Sequence, residues 1–186
     1  MTTVRFQTQL GDFEVTLADE AAPITTANFL RYVDAHAYDG GTFFRTVSPE
    51  TSGNDLIPED LGELGDYAPN DSVPISVVQA GTAAGRQDFS PIPLERTDVT
   101  GVRHVDGAIS VSRLDPDSAT SEIFLCLGDQ PQLDAGGARN PDGLGFAAFG
   151  AVTAGMEVVR AIHSAPSEGQ LLAPPIVIER VSLCAG

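Results

Sequence analysis

Glycine and proline constrain this chain first. There are 19 Gly and 13 Pro, spread along 186 residues rather than gathered in one tract. Glycine breaks regular structure through backbone freedom, proline through a fixed φ and a missing N–H. Dispersed in this way they favour short elements joined by turns over long helices. Residues 4–8 (VRFQT) and 13–17 (FEVTL) alternate apolar and polar around Leu10, Gly11 and Asp12, a hairpin pattern. Residues 74–81 and 107–112 read as strands, 122–127 (EIFLCL) as a strand buried on both faces, and 176–181 (IVIERV) as a closing strand. Residues 93–96 read as a short extended piece. The spacing over 23–33 predicts a helix begun by Pro23, with Leu30, Val33 and Ala37 recurring on one side. A second helix is expected over 155–162, with Met156, Val159 and Ile162 together. Many short strands, two helices and no repeating strand–helix unit predict a mainly β fold, a closed antiparallel barrel with helices packed on its ends.

The length suits a single domain over residues 1–186. The pattern collapses at about 48–72, where SPETSGNDLIPEDLGELGDYAPNDS holds seven acidic residues and no basic one. This reads as a long loop inserted in the domain, and both a functional loop and a tolerated surface insertion account for it.

Charge narrows the partners. With 26 acidic residues against 10 basic, the net charge is −16, which repels phosphate backbones and anionic lipid. Nucleic acid and membrane surfaces are therefore not expected partners. Every basic residue is arginine; GC-rich codon usage and adaptation to high salt both explain the missing lysine. No apolar run is long enough to span a bilayer, and MTTVRFQTQLGDFEV lacks the pattern of a leader. A cytoplasmic location is expected, the alternative being an exported protein whose leader was removed. Cys126 and Cys184 form no metal or redox motif and are expected to be unpaired. His36, His104 and His163 are scattered, without metal-ligand spacing, and are expected at the surface or half-buried. No metal or cofactor is expected.

TFFRTV, residues 42–47, sets an arginine among strand-forming residues. Simple alternation places Phe43, Arg45 and Val47 on one face, with Phe44 and Thr46 on the other. Arg45 is then either a snorkelling surface residue or a charge set against an apolar wall, and the local pattern does not decide between them. Gln79, Phe124, Leu133 and Phe146 each have an equally plain structural reading when taken singly.

The order of segments, however, resembles the cyclophilins, the cyclosporin-binding peptidyl-prolyl isomerases, and their bacterial branch in particular. The pieces are the hairpin around Leu10, Gly11 and Asp12, then AAPITTANFLRYVDAHAYDGGTFFRTV, VVQAG, DGAISVSRLDPDSATSEIFL, LD and GFAAFGAVTAGMEVV. The resemblance covers nearly the whole chain outside the acidic segment. It implies an eight-stranded antiparallel barrel capped by two α-helices, and cis–trans isomerisation of X–Pro bonds in proline-containing polypeptides to assist folding, by a monomer. Residue by residue, Arg45 falls on the catalytic arginine and Gln79 on the glutamine that supports it. Phe124 and Leu133 fall on the walls of the proline pocket, Phe146 on a position often held by histidine or tyrosine, and Val77 on one usually methionine. Ser112 and Arg113 lie on the strand whose backbone holds the substrate. The chain departs from the pattern at Ser76, in place of a pocket phenylalanine, and at Glu122, in place of a glutamine. Glu122 could pair with Arg45 or repel acidic substrates. Gln132 replaces the tryptophan of cyclosporin-sensitive members, which implies weak cyclosporin binding. The alternative is a proline-peptide binding module or chaperone of the same fold with little turnover; Ser76 and Gln132 favour it, and Arg45, Gln79 and Phe124 oppose it.

Overall fold

Phe6 and Phe13 face one another across the first hairpin, their ring centroids 4.7 Å apart and their planes 6° from parallel. Around this pair the apolar faces of successive strands close on themselves. The computed structural model describes residues 1–52 and 73–184. Its strands are β1 (Thr3–Thr8), β2 (Gly11–Leu17), β3 (Thr42–Val47), β4 (Val77–Gly81), β5 (Ala108–Val111), β6 (Ile123–Cys126), β7 (Ala147–Ala154), β8 (Ser167–Glu168) and β9 (Leu171–Leu183). The antiparallel order is β1-β2-β7-β5-β6-β4-β3-β9, and β9 pairs back onto β1 to close an eight-stranded barrel. Strand β8 adds a two-residue hairpin arm to β9.

The barrel is filled by alternate residues of each strand, as its pleat requires. Val4, Phe6, Phe13, Val15, Phe43, Val78, Ile109, Leu125 and Phe149 have 1% or less of their surface exposed. Burying each such side chain contributes about 1.5–3 kcal/mol.

Helix α1 (Pro23–Asp34) packs against β7 and β9, and α3 (Met156–His163) against β2, β3 and β4. A further one-turn helix, α2 (Thr97–Thr100), joins the two that were expected. Pro23 does open α1, but Ala22 at its N-cap has no capping side chain. The Glu95 carboxylate caps it from afar, accepting the Ile24 and Thr25 backbone N–H groups at 3.1 and 2.7 Å. An anion there also suits the helix dipole. The buried face of α1 carries Thr25, Phe29, Tyr32 and Val33. Leu30 is only partly buried and Ala37 lies beyond the helix end, so of the expected Leu30–Val33–Ala37 face only Val33 belongs to the buried face of the helix.

Two other expectations shift. The first turn is Gln9–Leu10, with Gly11 and Asp12 already in β2. Strand β9 runs for 13 residues through Pro174 and Pro175, where the prolines masked its start. Of the acidic segment, residues 48–52 form a turn stitched by Ser48, Thr51 and Ser52. The rest, 53–72, lies outside the described residues.

Candidate active site

A second apolar cluster lies on the outer face of the barrel wall. It comprises Val47, Ile75, Val77, Ala108, Phe124, Cys126, Leu133 and Phe146. This explains why β6 is apolar throughout: Ile123 and Leu125 point into the barrel, whereas Phe124 and Cys126 point out and are covered. The cover is a 3₁₀ turn (Pro131–Leu133) and the segment entering β7, joined by the Phe146 N–H donating to the Leu133 carbonyl at 2.9 Å. Gly145 permits this close approach. Its φ is +70°, and a Cβ there would stand 2.5 Å from the Asp134 carbonyl carbon.

Phe124 and Phe146 meet edge to face at 5.4 Å, a favourable aromatic geometry. With Val77, Leu133 and Ile75 they form one apolar end of a groove of about 600 Å³. Arg45, Gln79, Ser112, Arg113 and Glu122 line the same groove, whereas Ser76 and Gln132, also singled out from the sequence, do not.

Arg45 reaches it by a departure from simple alternation. The pairing of β3 with β4 matches Phe43 to Ala80 and then Arg45 to Gln79, leaving Phe44 as the extra residue of a β-bulge. Phe43 therefore turns into the barrel core, and Arg45 shares the outer face with Phe44 and Val47. The expected Phe43–Arg45 face is corrected accordingly. Arg45 Nη1 donates to Gln79 Oε1 at 3.0 Å, and its Nε and Nη2 donate to Gln170 Oε1 at 2.8 and 2.6 Å. Gln79 Nε2 in turn donates to Glu122 at 2.7 Å. Of the two readings of Glu122, its contact with Arg45 thus runs through Gln79. The low-dielectric walls of the groove push the Glu122 carboxyl above its ordinary range; the Gln79 hydrogen bond opposes this, the Asp88 charge adds to it and the Arg45 charge opposes it.

Ser112 and Arg113 lie just past the end of β5 rather than on it, a second correction. The Arg113 side chain is fully buried and folded back. It makes a two-pronged pair with Asp142 at 2.8 and 3.0 Å, donates to the Gly145 carbonyl at 2.8 Å, and covers the Phe146 ring at 5.4 Å. Ser76 stays out of the groove, its hydroxyl bonded to His163 at 3.1 Å, and Ile75 occupies the apolar space instead.

His104 is the clearest miss. It is 1% exposed, not half-buried. Its ring contacts Asp134 Oδ1 at 2.8 Å and Ser110 Oγ at 2.9 Å, and stacks against Phe124 at 5.8 Å. Burial pushes the Asp134 carboxyl up, but the His104 side-chain and backbone hydrogen bonds, with the His104 and Arg103 charges, outweigh it and hold it below the usual range. Ser110 is fully buried, so this serine–histidine–aspartate set offers no nucleophile to a substrate; it props the wall beneath Phe124 and Leu133. Gln170 and Ile75 were also missed, and neither carries a spacing signal in sequence.

Comparison with known proteins settles the family. Residues 3–183 match the family described as cyclophilin type peptidyl-prolyl cis-trans isomerase/CLD. The chain belongs to the cyclophilin-type peptidyl-prolyl cis-trans isomerases. This cyclophilin is 31% identical to a peptidyl-prolyl cis-trans isomerase of Streptomyces antibioticus, over 98% of its own length and 99% of the relative's. It is 29% identical to peptidyl-prolyl cis-trans isomerase A of Dickeya dadantii, over 98% and 84%. Its fold matches a crystal structure of a Cryptosporidium parvum cyclophilin type isomerase with a TM-score of 0.72, at 17% identity, covering 100% and 98% of the two chains. The same Cryptosporidium parvum protein, solved in the presence of the dipeptide Ala-Pro, matches with a TM-score of 0.71, covering 99% of each chain at 17% identity. No helix among the described residues of this cyclophilin is long and apolar enough to cross a membrane.

Proposed function

We propose that Arg45 and Gln79 act on the rotating X–Pro amide while Val77, Phe124, Leu133 and Phe146 hold the proline ring. One observation carries this reading: a guanidinium fixed by two glutamine carbonyls at the edge of an apolar bowl. Rotation about the amide must break resonance, at a barrier of about 20 kcal/mol. As the bond twists, the proline nitrogen regains a lone pair. A donor aimed at that nitrogen stabilises the twisted state more than the planar ones, and that difference is what accelerates the reaction. Arginine suits the task because its fork of donors is rigid and stays charged at any working pH. The reaction then needs no nucleophile and no proton transfer.

Glu122 orients Gln79, and Ser112, half-buried at the groove, offers its backbone to the peptide. Arg113 serves the same groove by bracing Phe146. The cyclophilin works as one domain over residues 1–186 with the acidic loop at about 48–72 inserted in it, and as a monomer, since a charge of −16 opposes self-association. Cyclosporin binds weakly, because Gln132 offers no ring and its side-chain oxygen accepts the Ala138 N–H at 2.9 Å. Cys126 and Cys184 are unpaired, which fits a reducing cytoplasm.

The test is two-dimensional exchange NMR on a proline peptide with wild type and Arg45→Ala. Loss of a preorganised donor predicts a fall in exchange rate of about 10²–10³-fold. Equal rates refute the role of Arg45. Tight peptide binding without acceleration by the wild type would establish the binding-module alternative.

A further inference from the structure

Gln170 stands in the hairpin between β8 and β9, 125 positions from Arg45 in sequence, yet it takes two of the three guanidinium bonds described above. We infer that Gln170 is a positioning residue for isomerisation, holding the Arg45 guanidinium in the plane and direction that the twisting amide requires. This inference rests on the reading of Arg45 as the group that acts on the amide.

Three features build the site around this one side chain. Gln170 is 2% exposed, so its carbonyl oxygen gives Arg45 an acceptor with little competition from solvent. Its amide is oriented, because Nε2 donates to the Thr51 carbonyl at 2.8 Å and thereby turns Oε1 toward Arg45. Its backbone is pinned beside the arginine, because the Thr46 N–H donates to the Gln170 carbonyl at 2.8 Å. The Nε–H and one Nη2–H of Arg45 converge on that single oxygen, which fixes the rotation of the guanidinium about its stem. Gln79 then meets the Nη1 side at 3.0 Å.

The chemistry of the acceptor matters as much as its place. A carboxylate would hold the same edge of the guanidinium but would offset part of the positive charge that the developing lone pair needs, so it replaces the amide only in part. A neutral amide holds the fork and adds no negative charge of its own. The arrangement also makes the turn from β8 into β9 part of the active-site support.

The test compares wild type with Gln170→Met, close in shape and without the acceptor, and with Gln170→Glu, which restores an acceptor. The readouts are exchange rate at saturating peptide, peptide Kd by titration, and the Arg45 Nε–H resonance in ¹⁵N spectra. Losing a hydrogen bond to a charged group predicts a rate about tenfold lower for Gln170→Met, with Kd within about twofold of wild type. The Arg45 Nε–H signal is expected to shift and broaden in Gln170→Met, and Gln170→Glu is expected to recover part of the rate. A Gln170→Met rate within about twofold of wild type overturns the inference. So does a loss confined to Kd, or a Gln170→Glu variant that is folded and no faster than Gln170→Met. If Gln170→Met does not fold, Gln170→Glu against wild type decides: an unmoved Arg45 Nε–H signal together with a rate below about a tenth of wild type overturns it. The two proposals fail separately. An Arg45→Ala enzyme as fast as wild type removes the reading of Arg45, whereas a slow Arg45→Ala beside an unimpaired Gln170→Met removes Gln170 alone.

Discussion

Gly145→Ala tests how the apolar wall of the groove is held. Gly145 has φ +70°, and a Cβ there would meet the Asp134 carbonyl carbon at 2.5 Å, the Leu133 carbonyl oxygen at 2.6 Å and the Ala135 nitrogen at 2.7 Å. All three are backbone atoms, so no side chain can swing aside. Gly136 is the matched control, with φ +85° and, among the described residues, nothing within 4 Å of where a methyl group would stand. Gly136→Ala should therefore cost only the left-handed conformation, about 1–2 kcal/mol. Gly145→Ala bears that cost and must also separate the two segments that cover Phe124. Separation breaks the Phe146 N–H to Leu133 bond at 2.9 Å and the Arg113 Nε to Gly145 bond at 2.8 Å. Those losses add about 1 kcal/mol for the neutral bond and about 1.5–3 kcal/mol for the one to a buried guanidinium. The total is about 3.5–6 kcal/mol, against about 1–2 kcal/mol for the control. In urea, with a slope of about 2–3 kcal/mol per molar, the two midpoints should differ by about 1 M or more. Peptide affinity should fall with Gly145→Ala alone, because Leu133 and Phe146 no longer close on the ring. Equal midpoints for the two variants, or a Gly145→Ala enzyme with unchanged peptide Kd, would refute the close-approach reasoning.

Asp142→Asn should destabilise by about 1.5–3 kcal/mol at neutral pH, because it strips the charged partner from a buried arginine. The Arg113 hydrogen bonds hold the Asp142 carboxyl below its ordinary range, so this stability is present above the unfolded carboxylate pKa and is lost as pH falls through the depressed one. Denaturation at a series of acidic pH values should show wild type and Asp142→Asn converging; a constant gap would contradict the pairing. For Glu122 the sign is opposite, since desolvation raises its pKa and its ionisation therefore opposes folding as pH rises through the window between the unfolded and folded values. Protonation removes the charged acceptor that orients Gln79, so isomerisation should decline as pH falls through the raised pKa. Glu122→Gln should flatten that limb, and a profile identical to wild type would rule Glu122 out as its source.

The periodicities and turn residues were enough to determine a mainly β chain with two amphipathic helices, because pleat and helix repeat leave their mark on neighbouring residues. The order of segments carried the identity of Arg45, Gln79, Phe124, Leu133 and Phe146 as one group. Local alternation nevertheless put Phe43 on the wrong side, since a bulge changes register without changing composition, and Phe44 has no feature that marks it as the extra residue. Glu95 at the α1 N-terminus, His104 behind Phe124 and Gln170 beside Arg45 were invisible for a common reason. Each is a polar side chain whose partner lies 30 to 125 positions away, and no short-range pattern records such a distance. Apart from Ile75, the apolar residues that close that end of the groove could thus be read along the chain. What holds TFFRTV's arginine still is decided only when β9 returns to the barrel and sets a buried glutamine carbonyl against its guanidinium.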